Sequence, residues 1–133
     1  KKVWMHEYGG ADVLTLTDAI IPEPEAGQVI IETEVIGVNY SDTLRRRNLY
    51  FQPTPLPYVL GAEAVGNIIA VGPGVEAPFK KGTRVLAILP FGGGYATHVT
   101  AIATYCVPLP PEIDSRTAAG IFCSGLYCTT YDK

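Results

Sequence analysis

Between Asn39 and Tyr50 the chain gathers side chains able to bind an oxygen or move a proton. The Asn39 amide can hydrogen-bond an oxygen atom, or it can close a turn at a strand end. Tyr50 can donate its phenol proton, or it can pack within its loop. Tyr40 offers either a ring wall or core packing. Asp42 has two readings as well, a helix N-cap or a ligand contact, and Thr43 lies beside it. Glu63, flanked by glycines in Gly61-Ala62-Glu63-Ala64-Val65-Gly66, is read as a structural carboxylate bonding nearby backbone or arginine rather than a general base.

Other candidates are weaker. His6 and His98 sit on separate strand candidates with no partner motif, and Gly92-Gly93-Gly94 lacks the Lys-Ser/Thr pair of a phosphate loop. The glycine triple is therefore expected to be a turn. The three cysteines, Cys106, Cys123 and Cys128, are an odd set, expected as reduced thiols. Cys123 and Cys128 would stand about 140° apart around a helix, a poor arrangement for chelating one ion.

The elements that must hold these residues are short. Glycine (14) and proline (11) are abundant among 133 residues, which favours strands joined by turns over a helical bundle. Lys2 to His6 and Val13 to Thr17 read as strands. Gln28 to Val38 is the clearest, with Ile31, Thr33 and Val35 expected on one face and Glu32 and Glu34 on the other. Ser41-Asp42-Thr43 offers N-cap chemistry for a brief helix through Arg47. The prolines at 53, 55 and 57 predict an extended surface loop. Strands follow at Gly61 to Val71, Thr83 to Ile88, Tyr95 to Val99 and Tyr105 to Leu109, and a helix starts from Asp114 as N-cap. The sum is a mainly β, small, partly open antiparallel barrel with short helices.

Composition excludes some functions. A net charge of -3 supplies no basic field for nucleic acid. Arg45, Arg46 and Arg47 form the one basic run, read as a solvated helix end or, alternatively, a phosphate contact. The most apolar window, Tyr58 to Val75, is interrupted by Glu63, Asn67 and several glycines, so no membrane span is expected. The start, Lys1 to Glu7, has no long apolar run of the signal-peptide kind, and a cytoplasmic location is expected.

The Gly61–Gly66 motif, with Asn67-Ile68-Ile69-Ala70-Val71-Gly72 after it, resembles the signature of the medium-chain dehydrogenase/reductase superfamily. His6-Glu7-Tyr8-Gly9-Gly10, Gly37-Val38-Asn39-Tyr40-Ser41-Asp42-Thr43, Phe79-Lys80-Lys81-Gly82 and Gly93-Gly94-Tyr95-Ala96 extend the likeness in order. Zinc-dependent members carry a histidine where this chain has Ala62 and a cysteine where it has Asn39. The likeness is therefore to the zinc-independent quinone oxidoreductase branch, and to its GroES-like catalytic domain. It implies a barrel over residues 1–123, with 124–133 and a terminal helix leading to a Rossmann domain absent from this sequence. It implies NADPH, bound mainly by that missing domain, and no zinc. By resemblance, Tyr50 and Asn39 are catalytic, with Tyr50 giving its phenol proton to a quinone oxygen. Asn39, Tyr40, Asp42, Thr43 and Thr130 contact the cofactor. The implied partners are a small carbonyl or quinone substrate and, for the whole protein, a second copy in a homodimer. Two other classes stay open: a non-enzymatic GroES-like interaction module, and a zinc-dependent alcohol dehydrogenase domain. Thr83 replaces the aspartate usual before Arg84-Val85 and is expected to alter a turn only.

Overall fold

A computed structural model describes residues 1–120. Cys123, Cys128 and Thr130 lie outside them. Strands β1 (Lys2–Met5), β2 (Leu14–Thr17) and β4 (Tyr58–Val59) form a three-stranded antiparallel sheet in the order β2-β1-β4. The remaining strands are β3 (Gln28–Ile36), β5 (Glu63–Val71), β6 (Arg84–Ile88), β7 (His98–Ile102) and β8 (Cys106–Pro108). They make a five-stranded antiparallel sheet, β7-β3-β5-β6-β8, curled into an open half-barrel. One helix, α1 (Tyr40–Arg46), crosses between β3 and β4, and a second, α2, occupies 115–120 of the described residues. The expected mainly β, partly open GroES-like barrel is what the chain forms.

Alternation explains most of the core, and one bulge explains where alternation fails. Val29 and Ile31 of β3 pack with Ile68, Val85, Val99 and Ala101 inside the curl. The pairing then runs Thr33 with Gly66 and Val35 with Val65, so Glu34 is an extra residue on β3. Such a bulge flips the side chains that follow it. Val35 consequently packs on the opposite face, against Val65, Leu86, Ala118 and Ala119, while Ile36 rejoins the core of Ile31. The expected single face of Ile31, Thr33 and Val35 is thus broken at Glu34. Ile30, opposite Ile31 in the pleat, is buried too.

One further boundary differs from expectation. Tyr95 and Ala96 do not open β7, and their backbone pairs with β1 and the β4 end: Val3 N–H donates to Tyr95 O at 2.9 Å, and Tyr95 N–H to Leu60 O at 2.8 Å. Thr97 serves both sheets, its N–H donating to Lys1 O and its carbonyl accepting the Thr33 N–H of β3, each at 2.9 Å. The three-glycine turn before them lets the chain serve both sheets. Asp114 caps α2 as expected, its Oδ1 accepting the Thr117 N–H at 2.8 Å. Thr83 does shape a turn, its hydroxyl donating to Pro78 O at 3.0 Å.

Cys106 is buried on β8 beside this core, and desolvation pushes its thiol from about 9.0 up to about 11. The unfolded chain therefore ionises first as pH rises, so stability present below pH 9 is lost as pH approaches 11. Urea midpoints should fall over that window, with a loss of at most about 2–3 kcal/mol of stability. The Cys106→Ala variant should show a shallower alkaline fall than the parent. Equal slopes would rule the account out.

Candidate active site

Four of the candidate residues, Asn39, Tyr40, Asp42 and Thr43, lie where β3 ends and α1 begins. Asn39, rather than the Ser41–Thr43 segment, is the N-cap of α1, and Asp42 sits at the third helical position. The two form a capping box in which Asn39 N–H donates to Asp42 Oδ2 at 3.0 Å. The Tyr95 hydroxyl, 53 residues further on, donates to the same oxygen at 2.9 Å. Asp42 is 3% exposed, so these partners replace water around its carboxylate. Burial, and then the Asp42 charge and hydrogen bond, push the Tyr95 phenol well above its ordinary value. Tyr95 is thereby fixed as the donor.

The Asn39 side chain also reaches β5. Its Nδ2 donates to Glu63 Oε1 at 3.3 Å, and Glu63 is 2% exposed at the start of β5. Room for that carboxylate comes from Gly37, where a Cβ would overlap the Glu63 side chain. Glu63, expected to bond nearby backbone or arginine, has the Asn39 amide as one of its partners.

Two recesses flank this seam. One, of about 220 Å³, is lined by Gly37, Val38, Asn39, Glu63, Arg116 and Ala119, among others. The second, of about 230 Å³, includes Asp42, Arg45, Tyr50, Tyr58, Ala62 and Leu89 in its wall. The fold therefore brings Asn39 and Tyr50 to neighbouring recesses rather than to one. Tyr40 is 73% exposed, which removes core packing as its role. The Thr43 hydroxyl donates back to Tyr40 O at 2.7 Å.

The basic run is not a solvated helix end throughout. Arg47 is exposed, but Arg45 and Arg46 are half-buried. The Arg45 guanidinium lies 4.1 Å from the Tyr50 ring centre and 5.6 Å from that of Tyr58, and Nη1 donates to Thr54 Oγ1 at 3.3 Å. The Tyr58 phenol is raised by its own burial, with Arg45 pulling against that rise. Sequence reasoning missed Arg45 and Tyr95 as members of the site. An arginine five residues before one tyrosine and thirteen before another was the available signal for the first.

Asn39 and Ala62, the two positions singled out by the resemblance, carry a carboxamide and a methyl group, neither of which is a zinc ligand of the usual kind. Among the described residues no three His, Cys, Asp or Glu side chains converge. No helix among them is long and apolar enough to cross a membrane.

A strand-rich half-barrel with a buried glutamate behind a glycine-flanked strand defines a known class. The chain belongs to the alcohol dehydrogenase GroES-like domain family, whose model matches residues 25–111. Within the medium-chain dehydrogenase/reductase superfamily it falls in the quinone oxidoreductase branch. It is 37% identical to the quinone oxidoreductase of Rattus norvegicus, over 91% of this chain and 37% of the rat protein. The Escherichia coli quinone oxidoreductase, solved in complex with NADPH, superposes with a TM-score of 0.88 at 33% identity, over 95% of this chain and 38% of that one. A mycobacterial protein solved with NADPH gives a TM-score of 0.89 at 36% identity, over 99% of this chain and 40% of that one. The chain thus spans well under half the length of these relatives.

Proposed function

We propose that this domain is the catalytic half of an NADPH-dependent oxidoreductase that reduces a quinone or an α,β-unsaturated carbonyl without zinc. The observation that carries the reading is the Asn39–Glu63 hydrogen bond beside Ala62. Where the resemblance would put a cysteine and a histidine, this chain has Asn39 and Ala62, and the Asn39 amide is paired with the Glu63 carboxylate. NADPH as the cofactor is supported by the neighbours solved with it, and a cytoplasmic setting with a second copy is carried over from the resemblance alone.

The chain's own residues suit the nicotinamide end of such a cofactor. Exposed Val38 and Tyr40 flank the Asn39 carboxamide, giving an apolar rim around a polar group that can hydrogen-bond an amide or ribose oxygen. Asn39, Tyr40 and Thr43 would hold that end. Asp42 acts on it through the Asn39 backbone it fixes, and Thr130 remains an expectation from resemblance. When bound, the cofactor supplies the hydride. Tyr50 then donates a hydrogen bond to the acceptor oxygen as negative charge develops there.

The test uses the full-length gene product. NADPH oxidation with a small quinone and a small enone, with and without a strong chelator, should proceed at the same rate in both cases. Loss of activity on chelation, restored by zinc, would defeat the metal-free reading. Tyr50→Phe should reduce kcat about tenfold, the worth of one hydrogen bond to a developing charge. An unchanged kcat would remove Tyr50 from the chemistry.

A further inference from the structure

The recess beside Tyr50 contains a cation that the described residues do not neutralise with a contacting carboxylate. Arg45 lies on the second turn of α1, with its guanidinium between the rings of Tyr50 and Tyr58 and one donor on Thr54. The ion pairs among the described residues are Lys1–Asp18 and His98–Glu32, so Arg45 has no carboxylate in contact there. Asp42 borders the same recess, but its Oδ2 already accepts from Asn39 and Tyr95, and it is 3% exposed. The half-buried arginine is therefore the charge the recess presents. A guanidinium shielded by aromatic faces is weakly hydrated and keeps a planar fork of donors suited to a carboxylate.

We infer that Arg45 selects a carboxylate-bearing acceptor, seating its anion in the Tyr50–Leu89 recess while the conjugated carbonyl faces Tyr50. This inference rests on the reductase reading above and names its substrate class. The part of the recess that this domain forms is about 230 Å³, room for a compact anionic group beside Arg45. The acceptor gains a hydride at its β-carbon and a proton at its α-carbon as NADPH becomes NADP⁺. The carboxylate is unchanged and serves in recognition alone.

The experiment compares acetylacrylate with ethylideneacetone, its counterpart lacking the carboxylate, using the full-length gene product and NADPH. The parent enzyme should favour acetylacrylate in kcat/KM. In Arg45→Met that preference ratio should drop about 10- to 100-fold, the range of one charge-assisted contact. Arg45→Lys should recover part of it, and it keeps the test alive if the methionine variant does not fold. Direct binding of levulinate, a saturated and unreactive carboxylate, followed by calorimetry, should weaken in the same order. Turnover of both enones with no preference for acetylacrylate, or a ratio untouched by Arg45→Met, overturns the role of Arg45 and leaves the reductase reading standing. No turnover of either enone or of a quinone overturns the reductase reading. Levulinate binding that depends on Arg45 would then still support the carboxylate site, and binding indifferent to Arg45 would end it.

Discussion

Replacing Asp42 with alanine is expected to remove about 3–5 kcal/mol of stability and to lower kcat by roughly two orders of magnitude. The reasoning starts from the partners left behind. The Asn39 N–H and the Tyr95 hydroxyl both donate to one buried carboxylate oxygen. Each hydrogen bond to a charged group is worth about 1.5–3 kcal/mol, and each orphaned buried donor adds a desolvation penalty. Loss of the capping box adds to this. The kinetic effect follows from position, because the backbone of Asn39 is held by Asp42 and its side chain reaches Glu63. Displacing that amide by an ångström would misalign whatever it binds. Asp42→Asn preserves the shape and one acceptor, so it should lose about half as much stability. Urea unfolding of the three proteins and their kcat values at saturating NADPH measure both effects. A loss below about 1 kcal/mol in the alanine variant would mean that Asp42 is solvated rather than spent on its two partners.

The parts of this fold legible in the sequence were those with local causes. The long strand β5 and its glycine turn could be read from composition, and so could the Asp114 cap of α2, whose acceptor and donor lie three residues apart. The Asn39-x-x-Asp42 spacing of a capping box was also local. It was hidden by Ser41 and Thr43, which carry cap chemistry of their own and shifted the expected helix start. What could not be read depended on a partner strand or a returning loop. Glu34 is a bulge because β5 is one residue short at that point of the ladder, which no property of β3 announces. Arg45 ceases to be a surface charge because the loop after α1 brings Tyr50, Thr54 and Tyr58 back over it. Tyr95 enters the site from a turn, across 53 residues. The motif residues Asn39 and Glu63 were visible as candidates, but their contact with each other needed the β3–β5 pairing to exist.

The second large effect is expected at Gly61, and it links the glycine signature to that distant tyrosine. Gly61 has φ +109, a region that residues with a Cβ rarely adopt, and a Cβ there would sit 2.6 Å from Gly94 Cα and 2.8 Å from Tyr95 N. Backbone strain contributes about 1–3 kcal/mol and the forced separation of two backbones a similar amount, so Gly61→Ala should lose roughly 2–6 kcal/mol. Gly74 separates the two causes. It also has positive φ, +77, but nothing lies within 4 Å of its notional Cβ, so Gly74→Ala should lose only about 1 kcal/mol. Gly61 has a further consequence that Gly74 lacks. Its carbonyl accepts the Gly94 N–H, and Leu60 O accepts that of Tyr95, so the two segments are laced together next to the site. Pushing them apart would draw the Tyr95 hydroxyl away from Asp42. Gly61→Ala should therefore make an added Tyr95→Phe change nearly silent, whereas Tyr95→Phe alone should lose about 1.5–3 kcal/mol. Thermal or urea unfolding of the double-mutant cycle reads this coupling. Strict additivity would show that Gly61 acts through local strain alone, with the glycine signature and the Tyr95–Asp42 hydrogen bond as independent features.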